Sequence, residues 1–148
     1  MVLDQQISLQ LSHAALMVTS TVFVHAIFIA IAAAVFRHLK SRIWGPLRVI
    51  RDVLVLVVVS LWLLAAHAIE IGMWAMMFLR LDLFDGFEPA LYFAAVSYTT
   101  LGFGDVLLTD QWRLLSGAVA ASGLLLFGLS AAFLIEATGK LRLGGEPH

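Results

Sequence analysis

Three apolar runs, each long enough to cross a lipid bilayer as a helix, constrain this chain more than any other feature of its sequence. They cover residues 14–36, 53–79 and 114–135, and a transmembrane helix takes about 20 residues. The chain is 61% hydrophobic and 13% charged, whereas soluble domains are roughly 45–50% apolar and 25% charged. The sequence therefore predicts an all-α membrane protein with three transmembrane helices.

The first run has an alternative interpretation as a cleaved signal peptide. The residues before it include Asp4 and no Lys or Arg, whereas a signal peptide begins with a positively charged region. The run is also longer than the apolar part of such a peptide, which has about 7–15 residues. We therefore expect a helix that is retained.

The charged residues predict how the helices are oriented. Residues 37–52 hold five of the nine basic residues, and Gly45-Pro46 predicts a helix break among them. Loops rich in Lys and Arg lie on the cytoplasmic side. We therefore expect the N-terminus outside and residues 137–148 as a short cytoplasmic tail. The chain has no cysteine, which excludes disulfides and thiolate metal sites.

The apolar stretch between the second and third runs is too short to form a fourth span. This stretch, Ala90 to Thr100, has eleven residues, about half of what a bilayer requires. Glu88 and Pro89 suit the first turn of a helix. The sequence predicts a re-entrant helix, which enters the membrane and returns on the same side.

The stretch SYTTLGFGDV, Ser97 to Val106, is unusual between two apolar runs. Non-helical backbone at membrane depth is tolerated where protein buries it or where it lines a watery path. Gly102 and Gly104 permit positive φ angles, so that successive carbonyls can turn to one side. A row of carbonyl oxygens is suited to replacing the hydration shell of a cation.

The residues TTLGFGD resemble the selectivity filter of potassium channels, whose usual form is Thr-Val-Gly-Tyr-Gly-Asp. The flanking sequence is similar to the pore module of the bacterial two-helix channels. Since one chain carries one filter strand, the resemblance implies a homotetramer around K⁺. The resemblance divides the chain into a first helix with the basic loop (1–52), a pore domain (53–136) and the tail (137–148). Within the pore domain it implies an outer helix (53–79), a pore helix (90–100), a filter (100–105) and an inner helix (114–135).

We call residues 100–105 the filter segment. The resemblance implies K⁺ binding by backbone carbonyls, with the threonine hydroxyl at the inner end and an aspartate behind the filter or at its mouth. The ion-binding residues would be Thr100, Leu101, Gly102, Phe103 and Gly104, supported by Asp105, Val96 and Tyr98.

One position departs from the family pattern. Many bacterial relatives have a glutamate four residues before the filter threonine, where it hydrogen-bonds the aspartate, whereas this chain has Val96. The partner of Asp105 is therefore left open among Tyr98, Tyr92 and Trp112. The alternative role of these three aromatic residues is packing or contact with the membrane interface.

The inner helix is rich in small residues, which favour close helix packing in membranes. Gly123 lies at mid-span, and its interpretation as a gating hinge or as a packing residue stays open. Phe127, Ala131 and Ile135 share one face because they are four residues apart. If that face lines the pore, it predicts an apolar constriction that gates by dewetting.

His67 and Glu70 are ionisable residues within the second run, three residues apart and hence on one helix face. One interpretation is a pH-sensitive pair coupled to the filter. The interpretation that we favour is a buried polar network that clamps the outer helix to the pore helix. Two residues do not make a metal site, and His25 in the first run is expected to be a packing residue.

The predicted function is passive, potassium-selective conduction without any chemical reaction. A weakly selective cation channel, a non-conducting accessory subunit and a small membrane enzyme that uses His67 and Glu70 are the alternatives. The intact series from Thr100 to Asp105 disfavours the accessory subunit, and the scarcity of other polar residues in the spans disfavours the enzyme. We expect no cofactor besides the permeant K⁺, no nucleic-acid partner, and a location in the inner membrane of a bacterium.

Overall fold

A computed structural model describes residues 2–40 and 48–141 of the chain. These residues form four α-helices: α1 (Val2–Lys40), α2 (Arg48–Arg80), α3 (Phe87–Tyr98) and α4 (Leu114–Leu141). Helices α1, α2 and α4 contain the three apolar runs, and each is long and apolar enough to cross a membrane. The all-helical prediction with three apolar spans is confirmed for this part of the chain. The break predicted at Gly45-Pro46 and the tail beyond Leu141 lie outside the described residues.

Helix α4 continues past the point where its apolar run ends. Residues 137–141, which the sequence assigns to the tail, form its last turns. Ala137 and Leu141 are buried against α1 and α2, and Lys140 pairs with Glu136 one turn earlier. The polar residues therefore lie on the outer side of a helix whose other side is still packed.

Helix α3 begins earlier and ends earlier than the apolar stretch predicts. Gly86 precedes it in an extended conformation, and Glu88 lies in its first turn, where a negative charge is favourable. The helix ends at Tyr98 because Thr100 has a φ angle of 60°, which is outside the range of a right-handed helix. Residues 99–113 then connect α3 to α4.

The larger apolar core joins the end of α2, helix α3 and the start of α4. Trp74, Phe78, Phe93 and Leu115 are buried there. The rings of Phe78 and Phe93 meet edge to face with 5.4 Å between their centroids, a geometry that adds about 0.5–1.5 kcal/mol to simple burial. This core fixes α3 at one end of the bundle, which we call the filter end.

Helix α1 packs along the full length of the bundle. Near the filter end, Gln10 is buried, and its Oε1 accepts a hydrogen bond at 3.2 Å from the backbone N–H of Leu114. Leu114 is the first residue of α4. At the opposite end, Phe36 packs in a second core with Val55 of α2 and Leu141 of α4. Helix α1 therefore runs in the same direction as α4 and contacts both other long helices.

Candidate functional site

The filter segment leaves α3 through a hydrogen-bonded turn. The Thr99 N–H donates to the Ala95 carbonyl, the Thr100 N–H to that of Ser97 and the Leu101 N–H to that of Val96, each at 3.0 Å. This pattern is the Schellman motif, in which the residue after the cap takes a left-handed conformation. Thr100 takes it here, with a φ angle of 60°, at a position where glycine is usual.

Left-handed residues alternate along the filter segment. Thr100, Gly102 and Gly104 have positive φ angles of 60°, 55° and 77°, and Leu101 and Phe103 between them do not. Such alternation allows successive carbonyls to face the same side instead of opposite sides as in a strand. The side chains of Leu101 and Phe103 are 56% and 65% exposed. The segment is thus a row of peptide groups at the surface of a single chain.

Val96 supports the filter segment through its backbone. Its carbonyl accepts hydrogen bonds from the N–H groups of Leu101 at 3.0 Å and Gly102 at 3.3 Å. The first two residues after Thr100 are thereby tied to the last turn of α3. This contact does not depend on the side chain, so that a valine can occupy the position where the resemblance expects a glutamate.

Tyr92 is the aromatic residue that reaches Asp105. Its hydroxyl donates to Oδ2 of Asp105 at 2.6 Å, and this hydrogen bond raises the pKa of the Tyr92 phenol. Of the other two candidates, Tyr98 directs its hydroxyl to Glu70, and Trp112 lies against the ring of His13 with 6.0 Å between centroids. The donor that replaces the missing glutamate therefore comes from the first half of α3.

Gly123 lies where α4 crosses the end of α3. A Cβ atom placed on this glycine would lie 1.9 Å from the carbonyl oxygen of Tyr98. Any side chain here would therefore push α4 away from the last residue of α3. The structure gives Gly123 a packing reason that holds whether or not the helix also bends there.

The predicted pore-lining face of α4 has no uniform environment in a single chain. The ring of Phe127 contacts that of His67 with 4.1 Å between centroids, and it meets Tyr98 edge-on at 5.5 Å. Ala131 is exposed, and Ile135 is 74% exposed. Phe127 therefore borders the buried interior, and the other two residues face outward.

Behind α3 lies a cluster of buried polar side chains that comes from all four helices. We call it the polar cluster; its members are His25 of α1, His67 and Glu70 of α2, Tyr98 of α3 and Ser130 of α4. Each is buried. A further hydrogen bond, Thr21 to Ser122 at 3.0 Å, ties α1 to α4 about one turn from His25 along α1 and about two turns from Ser130 along α4.

Glu70 is the centre of the polar cluster. Its Oε1 lies 2.9 Å from Nδ1 of His25, and its Oε2 lies 3.2 Å from Nδ1 of His67 and accepts a hydrogen bond from the Tyr98 hydroxyl. The Nδ1 atom of His67 is also 3.0 Å from the Tyr98 oxygen. The contact with Tyr98 gives Glu70 the link between α2 and α3 that the sequence suggested.

His25, Tyr98 and Ser130 also belong to the cluster, so the prediction that His25 is a packing residue was wrong: its ring contacts Glu70 and Ser130. The available signal was His25, because an ionisable residue within a span usually has a polar partner. One ligand atom each from His25, His67 and Glu70 lie within 4.8 Å of one another, a spacing that a metal site also has. Both histidine Nε2 atoms, however, contact Ser130, and both Nδ1 atoms contact Glu70, so hydrogen bonds already use every ring nitrogen.

The fold and the filter segment together define a class of protein. Three apolar spans, with a short helix and a row of peptide groups between the last two, are the arrangement of a membrane protein that passes ions. Residues 52–140, which are 89 of the 148 residues, match the model of a family described as ion channel. The chain belongs to this ion-channel family, whose pore type has two transmembrane helices.

The matched region begins within α2 and ends one residue before the end of α4. It therefore includes α3 and the filter segment, and it leaves α1 outside. Comparisons with curated proteins and with solved structures gave no match to the chain.

Proposed function

We propose that the protein is a potassium-selective channel that conducts K⁺ passively through a homotetrameric pore. The observation that carries this proposal is the alternation of positive φ angles at Thr100, Gly102 and Gly104 in a segment that is exposed on the single chain. Carbonyl oxygens from Thr100 to Phe103, with the Thr100 hydroxyl, would take the place of the water around K⁺.

The re-entrant path of α3 is part of the proposal. The helix has 12 residues and is therefore about 18 Å long, too short to cross a bilayer of roughly 30 Å. It starts and is held at the filter end, and the chain returns to that end at Leu114. Such a path would put the filter segment inside the membrane, where non-helical backbone must line a watery pore or be buried.

Four copies would complete the site. One chain supplies one row of carbonyls, and a closed ring around an ion requires several rows related by a rotation axis. A groove of about 460 Å³ behind the filter segment is lined by residues of α3 and the start of α4, among them Tyr92, Val96 and Ala120. A neighbouring copy would cover this groove and keep the backbone of the filter segment away from lipid.

The charges support the proposed location and orientation. The basic residues of 37–52 favour the cytoplasmic side, so the filter end and Asp105 would face outward. A bacterial inner membrane is the proposed setting, with the N-terminus outside.

The reversal potential of the purified protein in planar bilayers tests the selectivity, with K⁺ on one side and Na⁺ on the other. A value near the K⁺ equilibrium potential is expected. A value near zero with measurable current would instead indicate a weakly selective cation channel, in which Leu101 and Phe103 do not discriminate between the two ions. The variant Gly104→Ala, strained at a φ of 77°, should lose selectivity, and Gly139→Ala, where a Cβ meets nothing within 4 Å, serves as its control.

Native mass spectrometry in detergent tests the assembly. The expected mass is that of four chains of 16.2 kDa. A monomer that yields no current in bilayers would favour the accessory subunit over the channel.

A further inference from the structure

The hydrogen bonds of the polar cluster form a ring whose protons can be counted. The Ser130 hydroxyl lies between two imidazole nitrogens, 3.0 Å from Nε2 of His67 and 3.2 Å from Nε2 of His25. A hydroxyl carries one proton, so it donates to one of these nitrogens and accepts from the other. One of the two histidines must therefore have a proton on Nε2.

The other side of each imidazole faces Glu70. The Nδ1 atom of His25 is 2.9 Å from one carboxyl oxygen, and that of His67 is 3.2 Å from the other. An ionised carboxylate only accepts hydrogen bonds, so each of these nitrogens must carry a proton unless Glu70 supplies one. The second carboxyl oxygen also accepts the proton of the Tyr98 hydroxyl.

The ring needs one proton more than its neutral imidazoles and hydroxyls provide. Tyr98 and Ser130 contribute one hydroxyl proton each, and two neutral histidines contribute one N–H each. The two contacts of Ser130 with the histidines require one proton each, and the contact of His25 with Glu70 requires a third. His67, Tyr98 and Glu70 contact one another and require two more protons, so the ring requires five. The fifth proton makes the cluster neutral overall, as a neutral Glu70 with two neutral histidines or as an ionised Glu70 with one charged histidine.

Burial makes this proton important. The side chains of His25, His67 and Glu70 are 0%, 5% and 0% exposed, and all three lie within apolar spans. Without the fifth proton the cluster would hold a net negative charge far from water, and two acceptors would face each other across one contact. Both features cost free energy in an apolar environment.

We propose that His25, His67 and Glu70 hold one shared, exchangeable proton, and that the protonated cluster fixes Tyr98 and thereby the start of the filter segment. Tyr98 is the last residue of α3 and lies two residues before Thr100. Within residues 2–40 and 48–141, the titratable groups that contact the cluster are its own: His25 from α1, His67 and Glu70 from α2, and Tyr98 from α3, with the hydroxyl of Ser130 from α4. When the proton passes to water, the hydrogen bonds that position Tyr98 lose one donor, and conduction falls.

The substitution Glu70→Gln provides a sharp test, because an amide can supply the missing donor without titrating. Its N–H₂ group would donate to His25, and its oxygen would accept from Tyr98 and His67, so that two neutral histidines complete the ring. In liposomes of the full-length protein, K⁺ flux of the natural chain should fall severalfold as the pH rises from about 5 to about 8. Flux of the Glu70→Gln variant should not depend on pH over this range.

The variant His13→Gln is the matched control, since His13 also lies in α1 but bonds to the Leu9 carbonyl outside the cluster. It should keep the pH profile of the natural chain. A pH dependence that is equal in the natural chain and in Glu70→Gln, or a flux that is constant in both, would overturn the proposal.

The effect on conduction rests on the proposed function, so a second measurement follows the proton itself. Nitrogen NMR of labelled histidine and isotope-edited infrared spectra of Glu70, in the same liposomes, should show one bound proton that is lost between the low and the high pH. If the natural chain conducts no K⁺ at any pH but releases this proton, the channel proposal fails and the proton site stands. Two neutral histidines beside an ionised Glu70 at every pH, or Zn²⁺ bound by both Nδ1 atoms at neutral pH, would overturn the proton site.

Discussion

Thr100 occupies a backbone conformation that β-branched residues rarely adopt. It ends α3 at the position where helices usually have glycine, and its φ angle of 60° costs roughly 1–2 kcal/mol for a residue with a Cβ atom. The turn is fixed by the hydrogen bonds that Ser97 and Val96 accept. In the proposed pore the threonine hydroxyl would line the inner end of the filter segment, which would explain why a threonine is present.

We expect Thr100→Gly to separate stability from function. Relief of strain should raise the free energy of unfolding by up to about 1 kcal/mol, since the greater entropy of glycine in the unfolded chain offsets part of the gain. Single-channel conductance should fall because the hydroxyl is lost, whereas Thr100→Ser should retain most of it. Thermal unfolding and bilayer recordings measure the two effects, and a glycine variant that conducts like the natural protein would contradict the role of the hydroxyl.

Among the described residues, Tyr92 is the one whose side chain donates a hydrogen bond to the Asp105 carboxylate. We expect Tyr92→Phe to leave the helices intact and to lower the K⁺ to Na⁺ permeability ratio, because the carboxylate behind the filter segment loses its donor. Reversal potentials in bilayers, with K⁺ on one side and Na⁺ on the other, measure the ratio. Phe87 is an exposed aromatic residue of the same helix, so Phe87→Tyr serves as the control. An unchanged ratio in Tyr92→Phe would mean that Asp105 is held in another way.

At the scale of the helices, the contact between α3 and α4 is set by a single small residue. Gly123 is buried, and the Tyr98 carbonyl occupies the space where its Cβ would lie. Because the neighbour is backbone, it cannot swing away as a flexible side chain would. The distance between the two helices is therefore limited by this glycine.

We expect Gly123→Ala to destabilise the protein by about 1–3 kcal/mol, the usual cost of adding a group to a packed interior. Gly128→Ala is the matched control on the same helix, because a Cβ there meets nothing within 4 Å in the chain. Thermal unfolding in detergent compares them. If Gly123→Ala keeps its stability and changes only the opening of the pore, the glycine acts as a hinge and the packing explanation is wrong.

At the scale of the whole molecule, α1 is built into the bundle although it lies outside the region that matches the family. Gln10 caps the start of α4, His25 contacts Glu70, and Phe36 packs at the opposite end. These contacts connect α1 to α2 and α4 at three positions along its length. The first helix is therefore positioned to affect the filter segment through both α2 and α4.

We expect Gln10→Ala to lower the free energy of unfolding by about 1–2 kcal/mol, because the first N–H of α4 loses the acceptor that caps it. Gln5→Ala, an exposed glutamine of the same helix, should have almost no effect. Chemical denaturation in detergent measures both. Equal stability of the two variants would show that α1 does not support α4 through this contact.

The sequence was sufficient for the elements whose signal is local. Hydropathy placed α1, α2 and α4, and an apolar stretch too short to span placed α3. The end of α3 was predicted two residues late, because the left-handed conformation of Thr100 depends on the turn that follows. The motif around Gly102 and Gly104 led to the prediction of the filter segment, which stays a prediction, whereas the class of protein agrees with the ion-channel family match.

Only the tertiary structure decided which polar groups meet. His25 and Glu70 are 45 residues apart in the chain, and His25 and Ser130 are 105 apart, yet they share one buried ring. The choice of Tyr92 over Tyr98 as the partner of Asp105 was settled in the same way. Hydropathy is a property of each segment by itself, whereas these contacts depend on the rotation and depth of each helix, which the packing of all four helices sets.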